Sequence, residues 1–145
     1  MSFSASTPLS TTKAKSRLSG IRAESSSAGL VFTPFFLGSG TASNLTINTT
    51  GVVTVAEAVG TDLGEVRITQ SGGTTFQSTV NAANVVITDT ADGQTVAFQD
   101  NLTVGTGLTV SGALTDTYNV SLTGTSNSIA GTTTFNNGGT LTVGD

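Results

Sequence analysis

A four-residue motif recurs along this chain and limits what the chain can fold into. The motif consists of Asn or Thr, an aliphatic residue, a small and mostly polar residue, and a second aliphatic residue. Its clear copies begin at Asn44, Asn84, Asn101, Asn119 and Thr140, and a weaker copy begins at Glu65. Two aliphatic residues separated by one other residue are typical of a β-strand, in which alternate side chains point to the same face.

The spacing of the motif indicates how these strands are arranged. The first aliphatic residues of the six copies are Leu45, Val66, Val85, Leu102, Val120 and Leu141, which gives steps of 21, 19, 17, 18 and 21 residues. Such a step is typical of one coil of a β-solenoid, whose short strands bury alternate side chains against the coils above and below. We therefore predict an all-β protein with a β-solenoid, or β-helix, of about six coils. A β-sandwich or jelly roll is the alternative, since it also has regularly spaced short strands.

The composition favours short strands joined by tight turns. Thr occurs 29 times in the 145 residues and Gly occurs 18 times. Thr, Val and Ile favour strands because their branched Cβ atoms fit a pleated surface, whereas Gly, Asn and Asp favour turns. Charged residues make up only 10% of the chain. We therefore expect a surface coated with neutral Thr and Asn side chains, which is common on exposed fibres.

A second set of alternating runs, beginning with residues 53–55, lies between the motif copies and gives two predicted strands per coil. At roughly 4.8 Å per coil, six coils would form a rod on the order of 30 Å long. The residues predicted to point into its core are Leu45, Ile47, Val53, Val55, Val66, Ile68, Phe76, Val85, Ile87, Val96, Phe98, Leu102, Val104, Leu108, Val110, Val120, Leu122, Ile129, Phe135, Leu141 and Val143. Such a core is thin for a lone rod this short, so we expect trimerisation or docking on a larger body.

The N-terminal region differs from the rest of the chain. We predict an extended N-terminal arm and docking segment over residues 1–43, followed by a β-repeat body over residues 44–145. The first 24 residues carry a net charge of +3 and the remainder carries −7. A basic arm on an acidic body favours contact between the arm and an anionic surface.

The predicted partner-docking residues combine the basic groups of the arm with the aromatic cluster that follows it. They are Lys13, Lys15, Arg17, Arg22, Phe32, Phe35, Phe36 and Leu37. Two other interpretations stay open. The arm is solvated and disordered in one, and in the other the aromatic cluster caps the open end of the solenoid core, where strand edges would otherwise be unpaired.

The sequence offers little material for catalysis or metal binding. It contains neither His nor Cys, so the usual nucleophile–base pairs and zinc sites cannot be built. The acidic pairs Asp62 with Glu65 and Asp89 with Asp92 lie in turn-like stretches, where Asp is expected to bond to the backbone. Residues 89–93 lack the alternating acidic ligands of an EF-hand loop. We predict a non-enzymatic protein with no catalytic residue, no metal and no cofactor.

Two further partner classes are not expected. The longest apolar stretch spans about eight residues and contains Pro34, which is too short for a transmembrane helix. The four cations of the arm have no interleaved aromatic residues, so a nucleic-acid partner is not expected. The arm also lacks the long apolar run and cleavage site of a secretory signal. We therefore expect synthesis in a cytoplasm followed by assembly.

The repeat body resembles two classes of protein in its composition. Residues 102–112 and 131–145 are similar to the repeat regions of phage virion proteins, particularly fibres and decoration proteins. The body also resembles the filamentous-haemagglutinin and autotransporter class of bacterial surface solenoids. Members of that class are normally very long and carry an export signal, whereas phage virion proteins are short and join a particle by self-assembly. The resemblance assigns no role to any single residue.

The first resemblance implies a non-enzymatic virion structural protein, a phage capsid decoration, spike or tail-fibre subunit. It would dock by its N-terminal arm on other virion proteins of the capsid or tail and project its β-rich body, as a homotrimer. A host-surface glycan is a further candidate partner, and the expected location is the virion. The alternative is a secreted bacterial surface adhesin or matrix protein at the cell surface. A carbohydrate-active β-helix enzyme is disfavoured, because the acidic residues are scattered among turns.

Overall fold

The computed structural model describes residues 2–4, 21–24, 30–32, 42–112 and 115–144. Within these ranges the regular secondary structure consists of fourteen β-strands. They are β1 (Ser2–Ser4), β2 (Ile21–Glu24), β3 (Leu30–Phe32), β4 (Ser43–Asn48), β5 (Val53–Val55), β6 (Val59–Gln70), β7 (Thr74–Phe76), β8 (Val80–Ile87), β9 (Thr95–Phe98), β10 (Leu102–Val110), β11 (Tyr118–Leu122), β12 (Ser128–Ile129), β13 (Thr134–Phe135) and β14 (Gly138–Val143).

The strands form two parallel sheets that the chain visits in turn. Sheet one has the order β1-β2-β4-β6-β8-β10-β12, with β13 also paired to β10, and sheet two has the order β14-β11-β9-β7-β5-β3. Each strand therefore pairs with strands one coil away rather than with its neighbour in sequence. This arrangement is a β-solenoid, which confirms the predicted fold class. A β-sandwich would require antiparallel hairpin partners, and every pairing of the described strands is parallel.

The number of coils is smaller than predicted. In sheet two, the column of successive register partners is Val55, Phe76, Phe98, Leu122 and Val143. The body therefore makes about four turns instead of six, with 21 to 24 residues between partners in this column. At about 4.8 Å per turn the stack is on the order of 20 Å long.

The prediction of six coils is wrong because the six motif copies do not share one face. The first three copies stack on one another in sheet one, where Ile47, Ile68 and Ile87 are register partners. The copies at Val120 and Leu141 belong instead to sheet two. The steps of 17 and 18 residues are therefore moves between different segments of the coil rather than complete turns.

Each long strand of sheet one contributes two inward segments. In β8, Val80 and Ala82 are buried, the next two residues are not, and Val85 and Ile87 are buried again. The strand pairings contain a register shift at the equivalent position of β10. A complete turn thus contains three short inward segments, whereas the sequence pattern predicts two. The buried residues that the pattern does not predict are Val59, Leu63, Val80, Ala82 and Tyr118.

The core is continuous along the stack. Every residue predicted to point inward between Leu45 and Leu122 is buried. Burial of apolar surface contributes about 25 cal/mol per Å², and in a solenoid each turn gains it only against adjacent turns. Ile129 and Phe135 are partly buried and pack against this core.

The described part of the predicted arm continues both sheets. Strand β2 pairs with β4, β3 pairs with β5, and β1 pairs with β2. The regular stacking therefore includes backbone on the N-terminal side of residue 43. The division into an arm over residues 1–43 and a body over residues 44–145 stays a prediction.

Candidate functional site

The structure places two of the eight predicted docking residues on strands. Arg22 lies in β2 as the register partner of Thr46, and Phe32 lies in β3 as the partner of Val55. Both strands are near the N-terminal end of the stack. The other six, namely Lys13, Lys15, Arg17, Phe35, Phe36 and Leu37, lie outside the described residues. The docking assignment therefore stays a prediction.

The repeated Asn of the motif has a structural role that the sequence did not reveal. The Oδ1 atom of Asn101 accepts a hydrogen bond of 2.8 Å from the backbone N–H of Ser126. The Oδ1 atom of Asn119 accepts 2.9 Å and 2.8 Å hydrogen bonds from the backbone N–H and the hydroxyl of Thr140. Each bond joins residues one turn apart. These amides therefore fasten the end of one turn to the next by satisfying backbone donors at the turns.

A buried polar cluster lies at the turn between the two sheets. Thr49, Ser71 and Thr90 are each at most 4% exposed. The hydroxyls of Ser71 and Thr90 lie 2.9 Å apart, within hydrogen-bonding distance, and the Thr49 hydroxyl accepts a 3.0 Å bond from the N–H of Gly51. Hydroxyls that are satisfied in this way cost little to bury. The cluster is thus part of the turn architecture.

The described acidic residues are engaged in local contacts of different kinds. Glu65 forms a two-point ion pair with Arg67, with distances of 2.8 Å and 3.1 Å, and this hydrogen bonding raises the pKa of Arg67. Asp92 accepts a 3.0 Å hydrogen bond from the N–H of Thr117. Across the described part of the chain, no three acidic residues come together as a metal-binding cluster.

Tyr118 is the most chemically perturbed side chain of the described residues. It is fully buried, and its hydroxyl donates a hydrogen bond to the backbone carbonyl of Ser111. Burial, followed by the negative charges of Asp89 and Asp116, raises the pKa of Tyr118 to about 12. The phenol therefore stays protonated near neutral pH. Its hydrogen bond fixes the turn that precedes β11.

The outer face of sheet two is formed by small, neutral side chains. Its central column of register partners is Thr54, Thr75, Ala97, Ser121 and Thr142. These residues lie on the opposite side of the strands from the buried column of Phe76 and Phe98. The expected neutral coat is therefore present along this column.

The C-terminal end of the stack exposes residues that the sequence assigned to the core. Leu141 is 42% exposed and Val143 is 65% exposed, whereas their register partners Val120 and Leu122 are 0% and 3% exposed. All six residues of β14 are exposed. The prediction that Leu141 and Val143 are buried is wrong for the isolated chain, because among the described residues no further turn stacks on β14.

Comparison with known proteins adds no relative from which a function could be transferred. The chain matches no protein-family model, no curated protein and no solved structure. Among the described residues, no helix has the length and apolar character needed to cross a membrane. The functional argument therefore depends on the geometry of the solenoid.

Proposed function

We propose that this protein is a non-enzymatic structural subunit of a phage virion, a capsid decoration, spike or fibre protein. Its N-terminal arm docks on other virion proteins and its β-rich body projects from the particle. The observation that carries the proposal is the unbroken stack of parallel strands from β3 to β14 in sheet two. A stack of this kind is a stiff rod whose length is set by the number of turns.

The chemistry of the surface is consistent with this role. The outer column of sheet two offers Thr, Ser and Ala side chains, which are well solvated and have no strong field. The basic groups of the sequence are concentrated at the opposite end from β14, with Arg22 on β2. Opposite charges steer association and fix orientation more than they add affinity. A basic arm would therefore orient the rod on an anionic particle surface.

Location is tested directly on purified particles. We expect the protein to copurify with phage particles through a density gradient and to be identified there by mass spectrometry, in a copy number that is a multiple of three if it is a trimer. Immunogold labelling should place it on the capsid or tail. Recovery from cell surfaces or culture medium, without particles, would contradict the proposal and favour a secreted bacterial surface protein.

Docking is tested separately with a charge-reversed arm. The triple variant Lys13→Glu, Lys15→Glu and Arg17→Glu should fold but lose attachment to particles that lack the native protein. The matched control is Arg67→Gln, which removes a cation from the body where it is already paired with Glu65. Equal attachment of the triple variant and the native chain would show that the arm does not dock the rod.

A further inference from the structure

The exposed edge of β14 differs from the edges that folded proteins normally leave open. Natural edge strands are protected by charged residues, proline, bulges or short length. Strand β14, with the sequence Gly-Gly-Thr-Leu-Thr-Val over six residues, contains neither a charge nor a proline. It also presents Leu141 and Val143 at register positions that are buried in every preceding turn of the body. An edge with these properties favours pairing with another strand.

We propose that this end of the rod, formed by β12, β13 and β14, binds the N-terminal edge of a second copy of the chain. The second copy stacks head to tail, so that its β3 pairs in parallel with β14 of the first. The inference depends on strand edges and charge, and it does not require the protein to belong to a virion.

The strand register supports this occupant. Among the described strands, β3 terminates sheet two at one end of the stack and β14 terminates it at the other. Within the chain, Leu30 and Phe32 occupy the same register columns as Leu141 and Val143. A copy added by one more turn would therefore align Leu30 with Leu141 and Phe32 with Val143. Its backbone groups would continue the parallel ladder of sheet two.

The charge distribution favours head-to-tail over tail-to-tail association. Residues 1–24 carry a net charge of +3. Beyond Arg67 the chain contains five Asp residues and no basic residue, which gives −5. Two C-terminal ends brought together would repel each other, whereas an N-terminal end placed on a C-terminal end would attract it. A heterologous contact of this kind repeats without closing and produces an open filament.

This arrangement uses the N-terminal end in the same way in every copy. The first copy would dock its N-terminal end on whatever supports the rod, and each later copy would dock the same end on the exposed β14 of the copy before it. Leu141 and Val143 would then be buried in every copy except the last one.

Self-association is measured by sedimentation velocity of the full chain over a roughly hundredfold range of concentration. We expect the weight-average mass to rise continuously with concentration, and electron microscopy to show rods of increasing length. Val143→Lys should weaken the association constant by about tenfold or more, because it places an unpaired charge in the interface. The matched control is Val52→Lys, since Val52 is a 52% exposed valine on the side of the rod.

Three outcomes would overturn the inference. They are a mass that does not change with concentration, a mass that stops at a fixed trimer, and a Val143→Lys variant that associates as well as the native chain. Circular dichroism of both lysine variants should match the native spectrum, because both valines are largely exposed.

The direction of stacking is read from disulfide formation, because the chain has no native Cys. Copies carrying Thr142→Cys are mixed with copies carrying Val31→Cys, positions that lie in one register column. Head-to-tail stacking predicts the mixed disulfide as the main product under mild oxidation. A predominance of the dimer joined through two Thr142→Cys positions would show tail-to-tail pairing and would overturn the proposal.

Discussion

The rings of Phe76 and Phe98 stack with their centroids 4.8 Å apart and their planes 6° from parallel. The two residues are direct register partners in β7 and β9, and both are fully buried. The ring separation equals the spacing between neighbouring strands of a sheet. The stacked pair therefore fixes two successive turns at the same position along the strand.

Removing one ring of this pair should cost more than removing a phenylalanine at the end of the rod. Phe98→Ala should lower the free energy of unfolding by about 3–5 kcal/mol, because it leaves a cavity and an unpaired ring. The control Phe135→Ala should cost clearly less, since Phe135 is only partly buried. Urea denaturation measures both, and equal losses would indicate that the core is no better packed in the middle than at the end.

Thr74 offers a stabilising substitution. Its side chain is fully buried between the register partners Val53 and Val96, and its hydroxyl has no hydrogen-bond partner. A buried unsatisfied hydroxyl costs about 1–3 kcal/mol. Thr74→Val keeps the shape and removes the hydroxyl, so the unfolding free energy should rise by about 1 kcal/mol or more.

The control for this substitution is on the same strand. Thr75→Val changes the neighbouring residue, which is half-buried on the outer face, and should alter stability by no more than about 0.5 kcal/mol. If Thr74→Val destabilised the protein, the hydroxyl would have a polar partner in solution, such as an internal water molecule.

Two glycines with similar backbone conformations should respond differently to alanine. Gly93 has a φ of +73° and Gly138 a φ of +66°. A Cβ atom at Gly93 would meet nothing within 4 Å, whereas a Cβ atom at Gly138 would overlap the backbone carbonyl of Asp116 in the turn below. Gly93→Ala should cost about 1–2 kcal/mol for the left-handed conformation alone.

Gly138→Ala should cost more than this, because the contact between the last two turns of sheet two must also open. Thermal unfolding of the two variants measures the difference. Equal losses would mean that the backbone near Asp116 shifts without cost to make room.

Tyr118 should make stability depend on pH in the alkaline range. Its pKa in the folded protein is about 12, compared with 10 in an unfolded chain. The unfolded state therefore loses its phenolic proton first, so folding stability is fully present below pH 10 and falls as the pH rises toward 12. Because Tyr118 is the sole Tyr and the chain has no Trp, phenolate absorbance follows this one group.

The matched variant for the titration is Tyr118→Phe. It should lose the hydrogen bond to Ser111 and be less stable at neutral pH, and its stability should fall less between pH 10 and pH 12. Identical pH profiles for the variant and the native chain would show that other groups, such as Lys13 and Lys15, cause the alkaline loss.

The sequence predicted the strands better than it predicted their stacking. Alternation of aliphatic residues is a local property, so the inward positions from Leu45 to Leu122 could be assigned without knowledge of the fold. The segment containing Val80 and Ala82 was missed, because neither it nor the equivalent stretch at Val59 and Leu63 resembles the motif. In the next turn the same segment carries Leu102 and Val104, and it was mistaken for a coil of its own.

The candidate site could be predicted only in part. The basic arm and the aromatic cluster were visible in the composition, but their docking role is not tested by the described residues. The exposed end at Leu141 and Val143 was not visible, because the same alternating pattern encodes a buried strand inside the stack and an exposed strand at its end. The hydrogen bonds of Asn119 to Thr140 were also hidden, since these residues lie 21 positions apart.

By itself, the sequence determined that short strands alternate with tight turns and which face of most strands is apolar, since both follow from residues within a few positions of each other. Only the tertiary structure decided which strand lies above which. That choice depends on how many residues each turn uses to close, and on the side chains brought together from 19 to 25 positions apart. It thereby set the number of turns, the third inward segment and the position of the end that another copy would cover.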